Sequence, residues 1–262
     1  MLEEHRPNKT SIVVRSAIYN VLFYISIIGL MLLFLPVLLM PYRATLWLAR
    51  LWGRVSLWLL ANVCHTTVEF RGVENIPRKS ALIASKHQSF LETFSLLLHV
   101  PDFSYVLKRE LLWIPLFGWL LRSAAQIGIN RGRGRSAMAQ ILTQAENFFA
   151  RGRSLILFPE GTRRPVDAPP AYKSGVSYIY EAGHAPCLPV ALNTGLFWPR
   201  RSFLRLPGRC VIEFLPPIAP GLAREEFMTL LQTRIEERTD ALVAEARAAS
   251  PWLESMNKAR EV

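Results

Sequence analysis

The 262-residue chain has little cysteine, and what it has is scattered. Cys64, Cys187 and Cys210 are odd in number and far apart, so they form neither a disulfide framework nor a metal-ligand cluster. Buried, reduced thiols account for them. Acidic residues are also few: 20 Asp and Glu against 31 Lys and Arg leave a net charge of +11. That balance points to an anionic partner: nucleic acid, an anionic membrane face, or a phosphorylated or acidic-protein substrate. There is no G-x-G-x-x-G or P-loop pattern, which leaves a nucleotide fold without support. Internal repeats and low-complexity linkers are missing too. What the chain has in excess is apolar surface, with 51% hydrophobic residues and a mean hydropathy of +0.20, more than an ordinary soluble enzyme carries.

Charge is absent altogether from Ile18 to Met40. As a helix that run would measure roughly 35 Å, enough to cross a hydrocarbon core of ~30 Å. It is longer than a signal-peptide core and no small-residue cleavage site follows, so a retained anchor is expected. Pro41 breaks the pattern. A helical pattern resumes from Arg43 to Val63, with Arg43, Arg50 and Arg54 on one face and Leu46, Trp47, Leu57 and Trp58 elsewhere, a composition suited to a membrane interface. Arg6, Lys9 and Arg15 flank the apolar run on one side and the three later arginines on the other. A hairpin with both ends on the cytoplasmic side satisfies both clusters.

From Thr66 the texture changes. Short apolar runs with β character occur at 66–70, 81–85, 103–107, 125–129, 154–158, 188–192 and 210–214, with helix-length segments at 93–99, 110–122, 136–150 and 174–182. The alternation predicts an α/β fold, a mostly parallel sheet covered by helices and preceded by a hydrophobic N-terminal helical hairpin or anchor. Residues 1–64 are read as membrane-associated helices and 65–262 as a catalytic domain. Residues 221–249 read as a closing surface helix packed by one apolar stripe.

Several stretches carry chemistry. In Lys86-His87-Gln88-Ser89-Phe90-Leu91-Glu92, a histidine and a carboxylate follow an apolar strand, where open α/β sheets place their sites. A neutral imidazole is the usual general base near neutral pH, and a carboxylate on its far nitrogen fixes the tautomer. Five residues along one regular helix leave side chains about 140° apart. The pair can meet only if His87 precedes a helix and Glu92 lies in its first turns. For an arbitrary pair, a histidine satisfied in a turn beside an unrelated surface glutamate is the better reading; the motifs downstream reverse that. Gly128-Ile129-Asn130-Arg131 ends another apolar run with an arginine whose fork matches phosphate oxygens, though a solvated basic loop is equally consistent. Phe158-Pro159-Glu160-Gly161-Thr162-Arg163 presents Glu160 and Arg163 on a turn constrained by proline and glycine. Ala185-Pro186-Cys187-Leu188-Pro189-Val190 is a proline-flanked entry to a further strand.

Together these stretches resemble the four ordered blocks of the 1-acyl-glycerol-3-phosphate acyltransferase family, over roughly Thr66 to Phe214. The third block matches the family pattern residue for residue. The resemblance implies transfer of a fatty acyl group from a thioester to the sn-2 hydroxyl of lysophosphatidate. It assigns His87 as catalytic base and Glu92 as the acid that orients it, in place of the family's usual aspartate. Acceptor binding is implied for Lys108, Arg131, Glu160, Gly161, Thr162 and Arg163, and Pro189 is matched to the acyl-binding wall. Asn130 stands where an acidic residue often precedes the arginine. Gln88, Ser89 and nearby backbone N–H groups are candidates for the oxyanion site. No metal or cofactor is implied, since a thioester is already activated and needs a base, an oxyanion donor and positioning. The expected partners are a lysophospholipid acceptor, acyl-CoA or an acidic acyl carrier protein, and membrane lipids rather than nucleic acid. The expected location is a membrane, with the site on the cytoplasmic face of a bacterial inner membrane. Acyl transfer to lyso-ornithine lipid or lysophosphatidylcholine, and an inert membrane-tethered binding or scaffold protein, are the competing readings.

Overall fold

The structure, a computed structural model, describes residues 7–130, 134–253 and Met256, with the backbone alone for 134–137. Seven strands form one sheet: β1 (Thr66–Arg71), β2 (Leu82–Ser85), β3 (Phe103–Lys108), β4 (Ile127–Ile129), β5 (Ser154–Leu157), β6 (Cys187–Leu192) and β7 (Gly208–Phe214). Their spatial order is β1-β7-β6-β2-β5-β3-β4. The five strands from β6 to β4 are mutually parallel, while β7 runs antiparallel to β6 and carries β1 parallel to itself. The sheet is mostly parallel as expected, with a reversed pair on one side. Every residue of β2, β5 and β6 is buried, because central parallel strands are covered on both faces, which is why these strands read as unbroken apolar runs.

Alternation along β2 divides the core. Ala81 and Ile83 belong to one cluster, with Ile156, Leu188, Val190 and the buried residues of the first two helices. Leu82 and Ala84 belong to another, with Leu155, Leu157 and Cys187. The first face is covered by α1 (Lys9–Leu33), α2 (Tyr42–Cys64), the short α3 (Leu91–Ser95) and α4 (Phe117–Ser123), which lies against α2. On the second lie α5 (Gly134–Ala150), α6 (Gly175–Gly183) and part of α8 (Arg224–Ala249); a one-turn α7 (Thr194–Phe197) follows β6.

The N-terminal pair departs from its expected bounds. The first helix starts nine residues earlier than the uncharged run and stops at Leu33, where Pro36 near the start of the Leu35–Leu39 3-10 turn cannot donate into a continuing α-helix. It is long and apolar enough to cross a membrane, yet only 17% of its most apolar window is buried. Tyr19 and Phe23 pack edge-on against Trp198, so α1 is docked on the sheet domain along its first half. Arg50 does not stay at the outer surface. Its guanidinium turns inward and donates to the carbonyls of Leu97, Val100 and Pro101, capping the chain after α3.

Arg153 locks the chain one residue further on. It is 5% exposed, donates to the carbonyls of Phe103 and Ala124, pairs with Asp102 at 3.1 Å and lies over the ring of Tyr42 at 4.8 Å. Tyr42 in turn donates to Asp102 at 2.6 Å. One cation thus joins the starts of α2, β3 and β5. Breaking such a buried pair from one side costs about 3 kcal/mol, since the partner stays buried and unpaired. Arg153→Met is expected to lower the melting temperature of the detergent-solubilised protein by roughly 10 °C, as followed by circular dichroism.

Candidate active site

The C-terminal ends of the five parallel strands bring the motif stretches together. In spatial order they present Asn193–Gly195 after β6, Lys86–Ser89 after β2, Phe158–Arg164 after β5, Lys108 at the end of β3 and Asn130 after β4. At ~4.8 Å per strand, Lys108 is displaced about 10 Å sideways from His87 and the end of β4 about 15 Å.

His87 lies in the turn before α3, and Glu92 is the second residue of that helix. His87 Nδ1 and Glu92 Oε1 are 2.8 Å apart. The same oxygen accepts the backbone N–H groups of Gln88 at 2.9 Å and Ser89 at 2.7 Å, and Oε2 accepts from Thr194 Oγ1 at 2.7 Å. Glu92 is fully buried, whereas His87 keeps 14% of its side chain exposed. The imidazole stacks on Phe158 at 3.7 Å with an interplanar angle of 13°. Its own backbone carbonyl accepts from Arg164 N at 2.8 Å, joining the turns after β2 and β5. With Nδ1 directed at Glu92, Nε2 is the ring nitrogen free to take a proton from a bound hydroxyl.

The structure places the remaining expected residues around this pair. The N–H groups of Gln88 and Ser89 are engaged by Glu92, which removes them as donors to an oxyanion. The side chain of Gln88 is buried and accepts from Gly195 N at 3.1 Å. Glu160 is 2% exposed and pairs through Oε1 with Lys86 Nζ at 3.2 Å. Pro189 is buried within β6, so the fourth block builds the sheet. Lys108 is exposed and 3.7 Å from Glu110. Arg163 is half-buried, and its backbone carbonyl accepts from Arg200 at 2.9 Å. Thr162 is exposed beside it. Gly161 adopts φ +67°, where a Cβ would be strained and would sit 3.1 Å from Lys173 Nζ. Arg131 lies outside the described residues. All three cysteines are buried, and burial pushes each thiol up, Cys64 to about 12, so none is placed to act as a thiolate.

Sequence reasoning missed Thr194 and the partners of Lys86. Thr194 sits 102 residues beyond Glu92 and carries no local signature, since only the β2–β6 pairing brings it in. Lys86 did leave a signal, a lysine in an otherwise buried strand end. It is 1% exposed, and its Nζ lies 2.8 and 2.9 Å from the carboxylate of Glu236 on α8. Tyr172 donates to the same carboxylate at 2.8 Å. Thr194→Val would leave Glu92 Oε2 without its donor, costing about 2 kcal/mol. A melt in detergent is expected to fall by roughly 6 °C, with Thr194→Ser close to wild type.

A family model described as Acyltransferase matches residues 67–193, from β1 to the residue after β6. A 1-acyl-sn-glycerol-3-phosphate acyltransferase of Pseudomonas aeruginosa is 34% identical over 238 residues, covering 88% of this chain and 91% of its own. Another, of Limnanthes alba, is 30% identical over 185 residues, 70% of this chain and 66% of its own. The crystal structure of the 1-acyl-sn-glycerophosphate (LPA) acyltransferase PlsC of Thermotoga maritima matches the fold with a TM-score of 0.74, at 22% identity, over 87% of this chain and 96% of that one. With a relative this similar matched along nearly its whole length, the chain belongs to the 1-acyl-sn-glycerol-3-phosphate acyltransferase family and is an acyltransferase.

Proposed function

We propose that the protein transfers a fatty acyl group from a thioester, acyl-CoA or acyl carrier protein, to the sn-2 hydroxyl of lysophosphatidate, giving phosphatidate and the free thiol. The observation that carries this reading is the His87–Glu92 contact of 2.8 Å, with Glu92 held from three further directions and the His87 side chain still 14% exposed. Nε2 removes the hydroxyl proton as the oxygen attacks the thioester carbonyl. The new C–O bond forms, the tetrahedral intermediate collapses, the C–S bond breaks, and the proton passes from the imidazolium to the departing thiolate. Glu92 keeps the ring in one tautomer and stabilises its charged form. Stacking on Phe158 fixes the ring plane, so the base is positioned before substrate arrives.

The acceptor's phosphate has cations one and two strands away from His87, Arg163 in the turn after β5 and Lys108 at the end of β3; Arg131 is assigned to it by the family resemblance alone. Arg163 has no ion-pair partner among the described residues, which leaves its fork available to phosphate oxygens. A lysolipid is delivered most directly from a leaflet, and the largely unburied α1 gives the enzyme a place there. The basic chain suits an anionic cytoplasmic leaflet of a bacterial inner membrane and an acidic donor protein or coenzyme A.

The test is purified protein in detergent supplied with lysophosphatidate and labelled acyl-CoA or acyl carrier protein, with product identified by mass. His87→Ala is expected to lower kcat about 10³-fold, and Arg163→Ala to raise the KM for lysophosphatidate about tenfold. Phosphatidate made by His87→Ala at the wild-type rate would remove the histidine from the mechanism.

A further inference from the structure

We infer that the segment joining β3 to β4, Arg109–Arg122, is a second membrane contact, seated in the headgroup region of an anionic phospholipid leaflet beside the N-terminal helix pair. This rests on the membrane reading above for the presence of a leaflet, and on the segment's own geometry for its place in it. Eleven residues, Leu111–Leu121, carry no charge. Leu111, Trp113, Ile114 and Trp119 are exposed, Trp113 to 61%. The surface they form is held rigid from beneath: Leu112 sits where a Cβ on Gly128 would come within 2.5 Å of it, and a Cβ on Gly118 would meet the Leu112 carbonyl at 2.2 Å.

The location is selective. Among the described residues, every exposed large hydrophobic except Val73, Tyr178 and Phe203 lies on α1, α2, the 34–41 connection between them or this segment. The segment continues the surface of the helix pair, because α4 packs against α2 and the Leu35–Leu39 turn and joins α2 through Thr45 Oγ1···Ser123 Oγ at 2.9 Å. One face of the molecule is therefore apolar without a protein cover, and the opposite helix layer is not. Cations stand at both ends of the apolar run. Lys108 and Arg109 precede it together with Glu110, which is 3.7 Å from Lys108, Arg122 follows it, and the Arg109 guanidinium lies over Trp113 at 5.6 Å. Tryptophan rings flanked by snorkelling cations match the boundary between acyl chains and phosphates. Flanked by this surface, Lys108 and the end of β4 come to headgroup depth.

Trp119→Cys, carrying a polarity-sensitive thiol dye, tests the placement, since the three native thiols are buried. Glu226→Cys, on exposed α8 at the other face, is the control. The full chain is reconstituted in vesicles of 3:1 phosphatidylcholine and phosphatidylglycerol containing shallow brominated lipid. The Trp119 label is expected to shift to the blue and to be quenched at least twofold, the control label to do neither, and activity in micelles to persist. A Trp119 label as wet as the control in vesicle-bound protein overturns the contact alone. A label shielded before vesicles are added assigns the surface to a protein partner and overturns it too, and protein that ignores vesicles overturns this contact and the membrane reading together.

A separate observation, the buried cluster on the α8 side, carries a second inference. The structure assigns Lys86, Glu160 and Glu236 as positioning residues for the turn after β5. Lys86 Nζ bonds Glu160 on that turn and Glu236 on α8, Tyr172 supports Glu236, and Arg164 Nε approaches Glu160 Oε1 at 3.9 Å. Glu160 is three residues before Arg163, so a helix outside the matched acyltransferase segment holds that arginine's turn through a single ammonium group. Glu236→Gln is expected to raise the KM for lysophosphatidate at least fivefold with kcat and the KM for the acyl donor within twofold, and Glu236→Asp to recover part of it. A lowered melt with both KM values unchanged, or both raised alike, overturns the assignment. An Arg163→Ala enzyme with normal acceptor KM would instead overturn the phosphate reading on which it depends.

Discussion

A buried carboxylate is stable only if its oxygens are met, and Glu92 is fully buried with four donors converging on it. Two of these are backbone N–H groups from the turn that also carries His87, so the turn is folded around the carboxylate rather than beside it. The fourth comes from Thr194, which requires β6 to run parallel to β2 and to end level with it. Losing the Thr194 hydroxyl would leave Oε2 unmet in a dry interior, where the penalty is largest. The strand order, the short α3 and the one-turn α7 all follow from keeping this one group satisfied, and the imidazole inherits its orientation from the result.

Much of this was legible in the chain. The strand runs were visible because buried parallel strands are apolar on both faces, and the strand-end turns were visible because proline, glycine and charge interrupt those runs. The five-residue spacing even required His87 to precede the helix that holds Glu92, as it does. Glutamate in place of aspartate is accommodated by the chain folding back onto Oε1 with three contacts. What sequence could not disclose were pairings between distant elements. Thr194 and Glu236 have meaning only once β6 lies beside β2 and α8 packs on β6. The partner of Glu160, a buried lysine at the end of the neighbouring strand, was hidden for the same reason. The reversal of β7 against β6 was equally hidden, since an antiparallel neighbour on a covered sheet has the same apolar texture as a parallel one.

The two faces of the sheet have different work. The face covered by the N-terminal pair carries the His87 ring, Phe158 and nearly all of the exposed apolar surface. The other carries the ion cluster of Lys86 and the long closing helix. The His87–Glu92 pair and the Lys86 ion cluster are thus separated by the thickness of one strand, so the basic groups near His87 differ sharply in kind. Arg163 and Lys108 are solvent-accessible, while Lys86, the nearest in sequence, is sealed.

The step from Lys86 to His87 is where the two faces divide, because successive residues of an extended chain point to opposite sides. Reading frame within the strand therefore matters more here than side-chain chemistry. A single residue gained or lost between Ala84 and Lys86 would send the imidazole toward α8 and the ammonium toward the face covered by α1 and α2, with the chemistry of the motif otherwise unchanged. Insertions in this family's first block should for that reason be far rarer than substitutions, and a relative that carries one would need a compensating bulge in β2 to remain an acyltransferase.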